Sequence, residues 1–435
     1  MSMISTAASG LSATQVVLNA ISNNVANSET DGYSRRTVTL TSVSTGGVTA
    51  SSINRETSFY LQTQSWDSTS DVGYYTSYSE YTTYLEELMS SDSLDISTSL
   101  TTFYSALEEA STSPDDDSLR TAVLTDAEAV ADAFNSLAGY LDDIETEVES
   151  QVGTTVDSIN DYASQIAELN AQIVKLQSTG SDTSSLEDSR DSLIASLSEL
   201  VEVDVTAQDD GSYTITLPQG QTLVSGSSSG TMDWSEDDGL TLTYGTQTTS
   251  VSEDMSGSLG GLFAFVSDVL EPTQEALADL ATQVADELNA VQATGYDLDG
   301  ESGAALFTYD ADDPAGTISI SDDFDSDDLA FSSSSDTSET GNNDNLLTML
   351  DLADDQESTY TALVTKLGLV SSQAEASLET STSLQSTLAD SVSSISGVNL
   401  DEEAANLVLY QNIYSANSKV LTVADELFET VLDMF

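Results

Sequence analysis

The 435-residue chain contains no cysteine and no histidine, and it sets 8 lysines and arginines against 75 aspartates and glutamates. Without cysteine there is no disulfide framework and no thiolate metal site. Without either residue there is no Ser–His triad and no thiol nucleophile. Gly226, Ser228 and Gly230 match G-x-S-x-G, but they lie in the loop GSSSG with no His to serve the serine. None of the three lysines, at 175, 366 and 419, completes an S-x-x-K, and there is no P-loop and no G-x-G-x-x-G. Carboxylate pairs are too common to point to glycoside chemistry. No stretch reaches the roughly 18 apolar residues of a membrane span. The opening MSMISTAASGLSATQVVL has neither the basic region nor the sustained apolar run of an ordinary secretory signal.

The scarcity of cations leaves a formal net charge of −67. Such a chain repels nucleic acid and acidic membrane surfaces. It also repels itself, a strain that molar salt relieves by cutting the Debye length to about 3 Å. The composition therefore suits a high-salt environment and a halophilic source. Asp297, Asp299 and Glu301 in GYDLDGESG resemble part of a calcium loop but lack its full spacing, and they read as a solvated acidic turn. No catalytic residue, cofactor or metal is expected.

Charge is missing altogether from residues 1–28. Ile4, Ala7, Leu11, Thr14, Leu18, Ile21 and Val25 recur in steps of three and four, the coiled-coil spacing. The other end mirrors this. Residues 404–424 hold one cation, Lys419, and no acid, while Leu407, Tyr410, Tyr414, Asn417, Leu421, Ala424, Phe428 and Val431 keep the same steps. Asp401, Glu402 and Glu403 open that helix, where carboxylates favour the dipole. A surface helix should carry a charged face. These two lack one along most of their length, which fits a core helix in each domain, or a mutual pair that also meets neighbouring copies and orders on assembly. Between the first helix and the next strand lies NNVANSETDGYSRRTVTL. Two of the few cations, Arg35 and Arg36, stand at its end. They read as partners for acids of this chain or a neighbouring copy, or as a solvated pair beside Glu29 and Asp31.

The middle is helical in pattern from 54 to 198, interrupted at Pro114 and at TGSDTSS (179–185). Alternation of period two marks an antiparallel β domain at 199–256, with turns at DDG, PQG and GSSSG. Helical period returns over 257–395, apart from a loop-rich segment 295–344 with one strand candidate, GTISI. The expected architecture is mainly α with a small β domain: an elongated multi-domain rod. Its parts are an N-terminal axial helix and strand (1–53), a helical bundle in two pieces (54–198, 257–395), the β domain, and a C-terminal axial helix (396–435).

The stretch SGLSATQVVLNAISNNVANSETDGYSRR, with Asn23, Asn24, Asn27, Gly32, Tyr33, Ser34 and Arg35 at its turn, resembles the axial rod and hook proteins of the bacterial flagellum. So does SGVNLDEEAANLVLYQNIYSANSKVLTVADELFETVL at the other end. The opening SGVNLDEE (396–403), the segment 166–226 and the segment 277–307 resemble the hook–filament junction branch of that family. The chain is shorter than members with an extra outer domain, and far more acidic. The resemblance implies a secreted structural protein, exported through the flagellar apparatus without a cleaved signal. Its implied partners are other copies of itself in a ring, the hook protein, a second junction protein, flagellin, and a cytoplasmic export chaperone on the C-terminal helix. Nucleic acid and membrane are not among them. The expected assembly interface is Ile4, Leu11, Leu18, Ile21, Val25, Leu407, Tyr410, Tyr414, Leu421 and Phe428. The expected axial-family motif is Asn27, Gly32, Tyr33 and Arg35. Other readings are a hook or distal rod protein, or a secreted surface-layer protein or adhesin of a halophile, with an extracellular hydrolase a distant third.

Overall fold

The computed structural model describes residues 3–44, 46–91, 94–339 and 341–432. Positions 1–2 and 433–435, at the tips of the expected terminal helices, lie outside the described residues. The chain groups into two compact units. The first is Met1–Tyr74, Gly153–Gly260 and Glu379–Phe435, and the second is Tyr75–Val152 and Gly261–Leu378.

The N-terminal helix α1 spans Met3–Ala26, followed by a hairpin of β1 (Arg36–Ser42) and β2 (Val48–Arg55). Helices α2 (Phe59–Met89), α3 (Ile96–Ala110), α4 (Asp117–Gln177) and α5 (Ser184–Leu200) come next. The gap between α3 and α4 contains Pro114, whose missing N–H and fixed φ suit the start of a new helix rather than the middle of one. Gly180, with φ 71°, sits between α4 and α5, where a left-handed residue ends a helix cheaply.

Seven short strands make up the β region of the first unit. A four-stranded sheet runs β3 (Asp204–Ala207), β4 (Tyr213–Thr216), β5 (Thr222–Ser225), β6 (Ser228–Ser229). A three-stranded sheet runs β7 (Thr231–Ser235), β8 (Gly239–Tyr244), β9 (Gln247–Ser250). Neighbours pair antiparallel throughout. Ile215, Leu217, Leu223, Val224, Met232, Leu240 and Leu242 are buried, with the alternation clear at Met232 of β7 and Leu240 and Leu242 of β8, while the neighbours Leu223 and Val224 of β5 are both covered. Two asparagines of α4 clasp these strands. The Asn160 side chain donates to Met232 O and accepts from Met232 N–H, and Asn170 does the same with Tyr213. An asparagine amide offers one donor end and one acceptor end, so it can bond a strand residue as a neighbouring strand would, with no charge involved.

The second unit contains α6 in part (Ser258–Phe265), a π-turn over Val266–Leu270, α7 (Glu271–Gln292), α8 (Pro314–Thr317), α9 (Asp344–Leu350) and the first half of α10 (Ala353–Ser396). The strand expected at GTISI is only the two-residue β11 (Ser319–Ile320), paired with β10 (Phe307–Thr308), because Pro314–Thr317 is a helical turn capped by Asp313. The core of this unit is apolar and closed. Leu100, Phe103 and Leu107 of α3, Phe134 and Leu137 of α4, and Leu280 and Val284 of α7 are all buried. Its one arginine, Arg120, is buried too. It donates to the carbonyls of Pro114, Ser326, Asp327 and Leu329 and lies 4.6 Å from the Phe331 ring centre. Burial lowers this guanidinium to about 10, against the raising effect of Asp327 and other nearby acids. The last helix, α11 (Leu400–Leu432), belongs to the first unit.

Candidate assembly surface and its arginine node

Helices α1 and α11 pack against each other, and the hairpin lies along α1. The pair is antiparallel. Gly10 faces Asn417, while Arg35, just past the end of α1, reaches Glu402 and Glu403 in the first turn of α11. Asn399 caps that turn, accepting from the N–H groups of Asp401 and Glu402. The buried face of α1 is Ala7, Gly10, Ala13, Thr14, Val17, Ala20, Ile21 and Asn24. These are mostly small residues, which let the neighbouring elements come close. A Cβ at Gly10 would sit 2.9 Å from both amide atoms of Asn417.

The expected interface residues therefore divide. Ile21 is in the buried face, and Leu407, Tyr410 and Leu421 are half-buried on the pairing stripe of α11. Ile4, Leu11 and Leu18 are half-buried, and Val25 is 42 % exposed. Tyr414 is 38 % and Phe428 59 % exposed. Opposite alignment of Gly10 and Asn417 brings Met3 level with Ala424, so Phe428 continues the pairing stripe beyond the described start of α1.

Two incompletely covered stripes remain, each with heptad spacing. On α1 it is the half-buried Ile4, Leu11 and Leu18, with Val25 more exposed. On α11 it is Ile413 (37 % exposed), Val420 (39 %) and Leu427 (55 %). With Ala7, Thr14 and Ile21 as the a positions of α1, the first stripe is at e. With Leu407, Tyr414 and Leu421 as the a positions of α11, the second is at g. In an antiparallel pair e flanks e and g flanks g, so the two stripes lie on opposite sides.

Four of the five arginines gather where this pair joins α5 and the β region. Arg35 Nε is 2.8 Å from Glu403 Oε1, and its backbone N–H donates to Ser396 O. Arg36 Nη2 lies 3.2 Å from Asp188 Oδ2, with the guanidinium 4.9 Å from the Tyr33 ring centre. Arg55 holds Asp188 Oδ1 at 2.8 Å and Asp191 Oδ2 at 2.6 Å, with Glu187 at 3.5 Å. Arg190 stacks 3.4 Å from the centre of Tyr213 and donates to Asn170 and Gly211 O. Burial opposes the charge on Arg55, but Asp191, Asp188 and Glu187 together hold its guanidinium above the ordinary range. Burial also pushes the Asp191 carboxyl up, against the pull of Arg55.

The axial motif shapes this junction. Gly32, with φ 74°, turns the loop. Asn27 ties it back to Asn23 O, and Tyr33 donates to Asn24 Oδ1. Asn24 also clasps the backbone of Arg36, accepting from its N–H and donating to its carbonyl. Arg35 and Arg36 thus pair with acids of this chain, Glu402, Glu403 and Asp188. Sequence reasoning did not single out Arg55, Arg190, Asp188, Asp191, Asn24 as a clasp, or Asn170. The scarcity of arginine was the available signal, since each one must offset the acids around it.

Fold and site together define a helical structural subunit whose two ends close on each other and leave apolar stripes open. Known proteins agree. The family described as "Flagellar hook-associated protein FlgK helical domain" matches residues 82–307. "Flagella basal body rod protein" matches 4–33, and "Flagellar basal body rod FlgEFG protein C-terminal" matches 390–434. The chain is 27 % identical to flagellar hook-associated protein 1 of Salmonella typhimurium across all of both chains. It is 27 % identical to that of Bacillus subtilis over 99 % of this chain and 97 % of the other. The structure of the flagellar hook junction protein FlgK from Burkholderia pseudomallei aligns with a TM-score of 0.51 at 30 % identity, over 58 % of this chain and 47 % of that one. The chain belongs to the flagellar hook-associated protein FlgK family. Its relatives are structural proteins of the flagellum, and it is a flagellar component that assembles with others.

Proposed function

We propose that this chain is the structural junction protein at the hook tip, joining hook to filament, with no catalytic role. The observation that carries the reading is the pair of open heptad stripes on opposite sides of the α1–α11 pair. Stripe one of a copy can meet stripe two of the next. That contact is heterologous, and repeated by a closing rotation it builds a ring. Ile4, Leu11, Leu18 and Val25 then act across copies, while Ile21, Leu407, Tyr410, Tyr414 and Leu421 act within the pair. Phe428 lies beyond it, where a neighbouring copy or a cytoplasmic export chaperone can take it. Hook protein, a second junction protein and flagellin are the further partners, and export proceeds through the flagellar apparatus. In functional terms, 1–53 and 396–435 form the assembly module, 54–198 and 257–395 the helical body, and 199–256 a β domain.

The test uses one charge on each stripe. Leu18→Asp and Val420→Asp should each leave hooks without filaments and release flagellin into the medium, while the purified chain keeps its melting transition. Normal filament numbers in both variants would overturn the assembly surface. Deletion of the gene should give the same cells, and filaments persisting after deletion would overturn the junction role.

A further inference from the structure

Two segments lead from the α1, hairpin and α11 group into the rest of its unit. They are residues 56–58 before α2 and residues 397–399 after α10, while the loop at 27–35 joins α1 to the hairpin inside the group. The loop has open space on both faces. One open cleft of about 770 Å³ lies between it, α4 and α5, reaching Gln165, Gln172 and Ser189. Another of about 560 Å³ lies between it, α2, α5 and α10, reaching Trp66, Ala195 and Val392. Both clefts open to solvent, so side chains fill little of the junction around the loop.

Charge spans it instead. Arg36 and Arg55 are cross-strand partners at the base of the hairpin, and both reach down to α5. Asp188 accepts both, and Asp191 takes Arg55 together with Gln62 of α2. The cluster is incompletely bonded. Arg36 Nε and Asp191 Oδ1 are buried and make no hydrogen bond. A buried ion cluster with unfilled valences adds little net stability, yet it fixes geometry while it is closed. Arg35 plays a different part. Its guanidinium stays with Glu402 and Glu403 and so holds the moving group together.

We propose that Arg36 and Arg55 with Asp188 and Asp191 form an ionic joint. Closed, it fixes the direction of the α1–α11 pair and hairpin against α5. Open, it lets that group swing as a body on the two connecting segments, with the seam between α1 and α11 intact. The assembly surface can then take more than one direction without being remade. The joint is a property of the single chain and stands apart from the junction role, so filament assays and the measurement below can fail independently.

The absence of native cysteine makes the measurement direct. Spin labels go on Ala171→Cys in α4 and Ala416→Cys in α11, both exposed positions in the first unit. The full-length chain with the joint intact should give a narrow distance distribution. Arg36→Gln and Arg55→Gln should each broaden it about twofold, as local opening without global unfolding does. Arg36→Lys, which keeps the charge, should stay close to the parent. Unchanged widths in both Gln variants would overturn the joint. So would equal broadening by Lys and Gln at 36, since fit rather than charge would then hold the group. Circular dichroism of the same samples separates opening from unfolding, and broadening that comes only with lost signal also counts against the proposal.

Discussion

Helices α3 and α11 have much the same kind of apolar residue and opposite outcomes. In α3, Ile96, Leu100, Phe103, Tyr104, Leu107 and Ala110 are all buried, and Asp95 caps the first turn. In α11, twice as long, the described buried side chains are Glu403 and Ala424. Leu409, Val423, Leu427, Phe428 and Val431 face outward. The difference teaches that α3 is finished by its own chain while α11 is not. The arginines follow the same division. Arg120 in the closed unit is satisfied by carbonyls fixed around it, whereas Arg36 and Arg55 in the open one are held by acids of α5.

The largest effect should come from cutting matched leucines. Leu107→Ala should cost about 3 kcal/mol, because the site is fully enclosed and leaves a cavity. Leu409→Ala, on the open helix, should change the stability of the isolated chain by no more than about 0.5 kcal/mol. Denaturant melts of both variants check this. Similar losses at the two positions would erase the contrast between finished and unfinished helices.

Much of this contrast was legible beforehand, because it rests on periodicity and on missing charge. The charge-free run to residue 28 ends in α1 at Ala26, and the mirrored C-terminal run is α11. Alternation in SYTITL and LTLTYG gave strands β4 and β8, with Gly211 and Gly220 at positive φ in the turns DDG and PQG. Less could be read of the pairing face. Apolar size favoured Leu11 and Leu18, but close packing chose Ala13, Gly10 and Val17, since small residues admit the neighbouring elements and large ones hold them off. The node was out of reach for another reason. Arg55 and Asp191 are 136 positions apart, and no local period links a hairpin base to a helix face. The asparagine clasps are equally silent, since an asparagine that bonds a strand looks in sequence like one that faces water.

A middle-sized effect tests the seam itself. Gly10→Leu forces a branched side chain into the place of the Asn417 amide, and overpacking of this kind costs about 1–3 kcal/mol. The better helix propensity of leucine returns only part of that. Hydrogen exchange should show faster exchange through α1 and α11 with no change in β3–β9. Exchange already as fast in the unaltered chain would sharpen the comparison further, because α11 would then lack even its one partner before assembly.

The smallest effect concerns charge rather than packing, and asks whether the open unit is also the strained one. Asp67 on α2 is held above the usual carboxylate range, first by burial and then by Asp204, Glu202 and Asp71. The unfolded chain gives up this proton near 3.8, and the folded chain only at higher pH. As pH rises through that window, the unfolded state is the first to ionise, so the folded state loses stability. The cost is complete above the folded value and absent below the unfolded one. Asp67→Asn removes it. Because Asp67 keeps much of its surface in water, the gain at neutral pH should be only a few tenths of a kcal/mol. Below pH 3.8 the two proteins should melt together. In molar salt the share due to Asp204, Glu202 and Asp71 should fade, while the share due to burial stays. A gain that salt leaves untouched would mean that burial alone sets the cost, and that the acidic surface does not strain this unit.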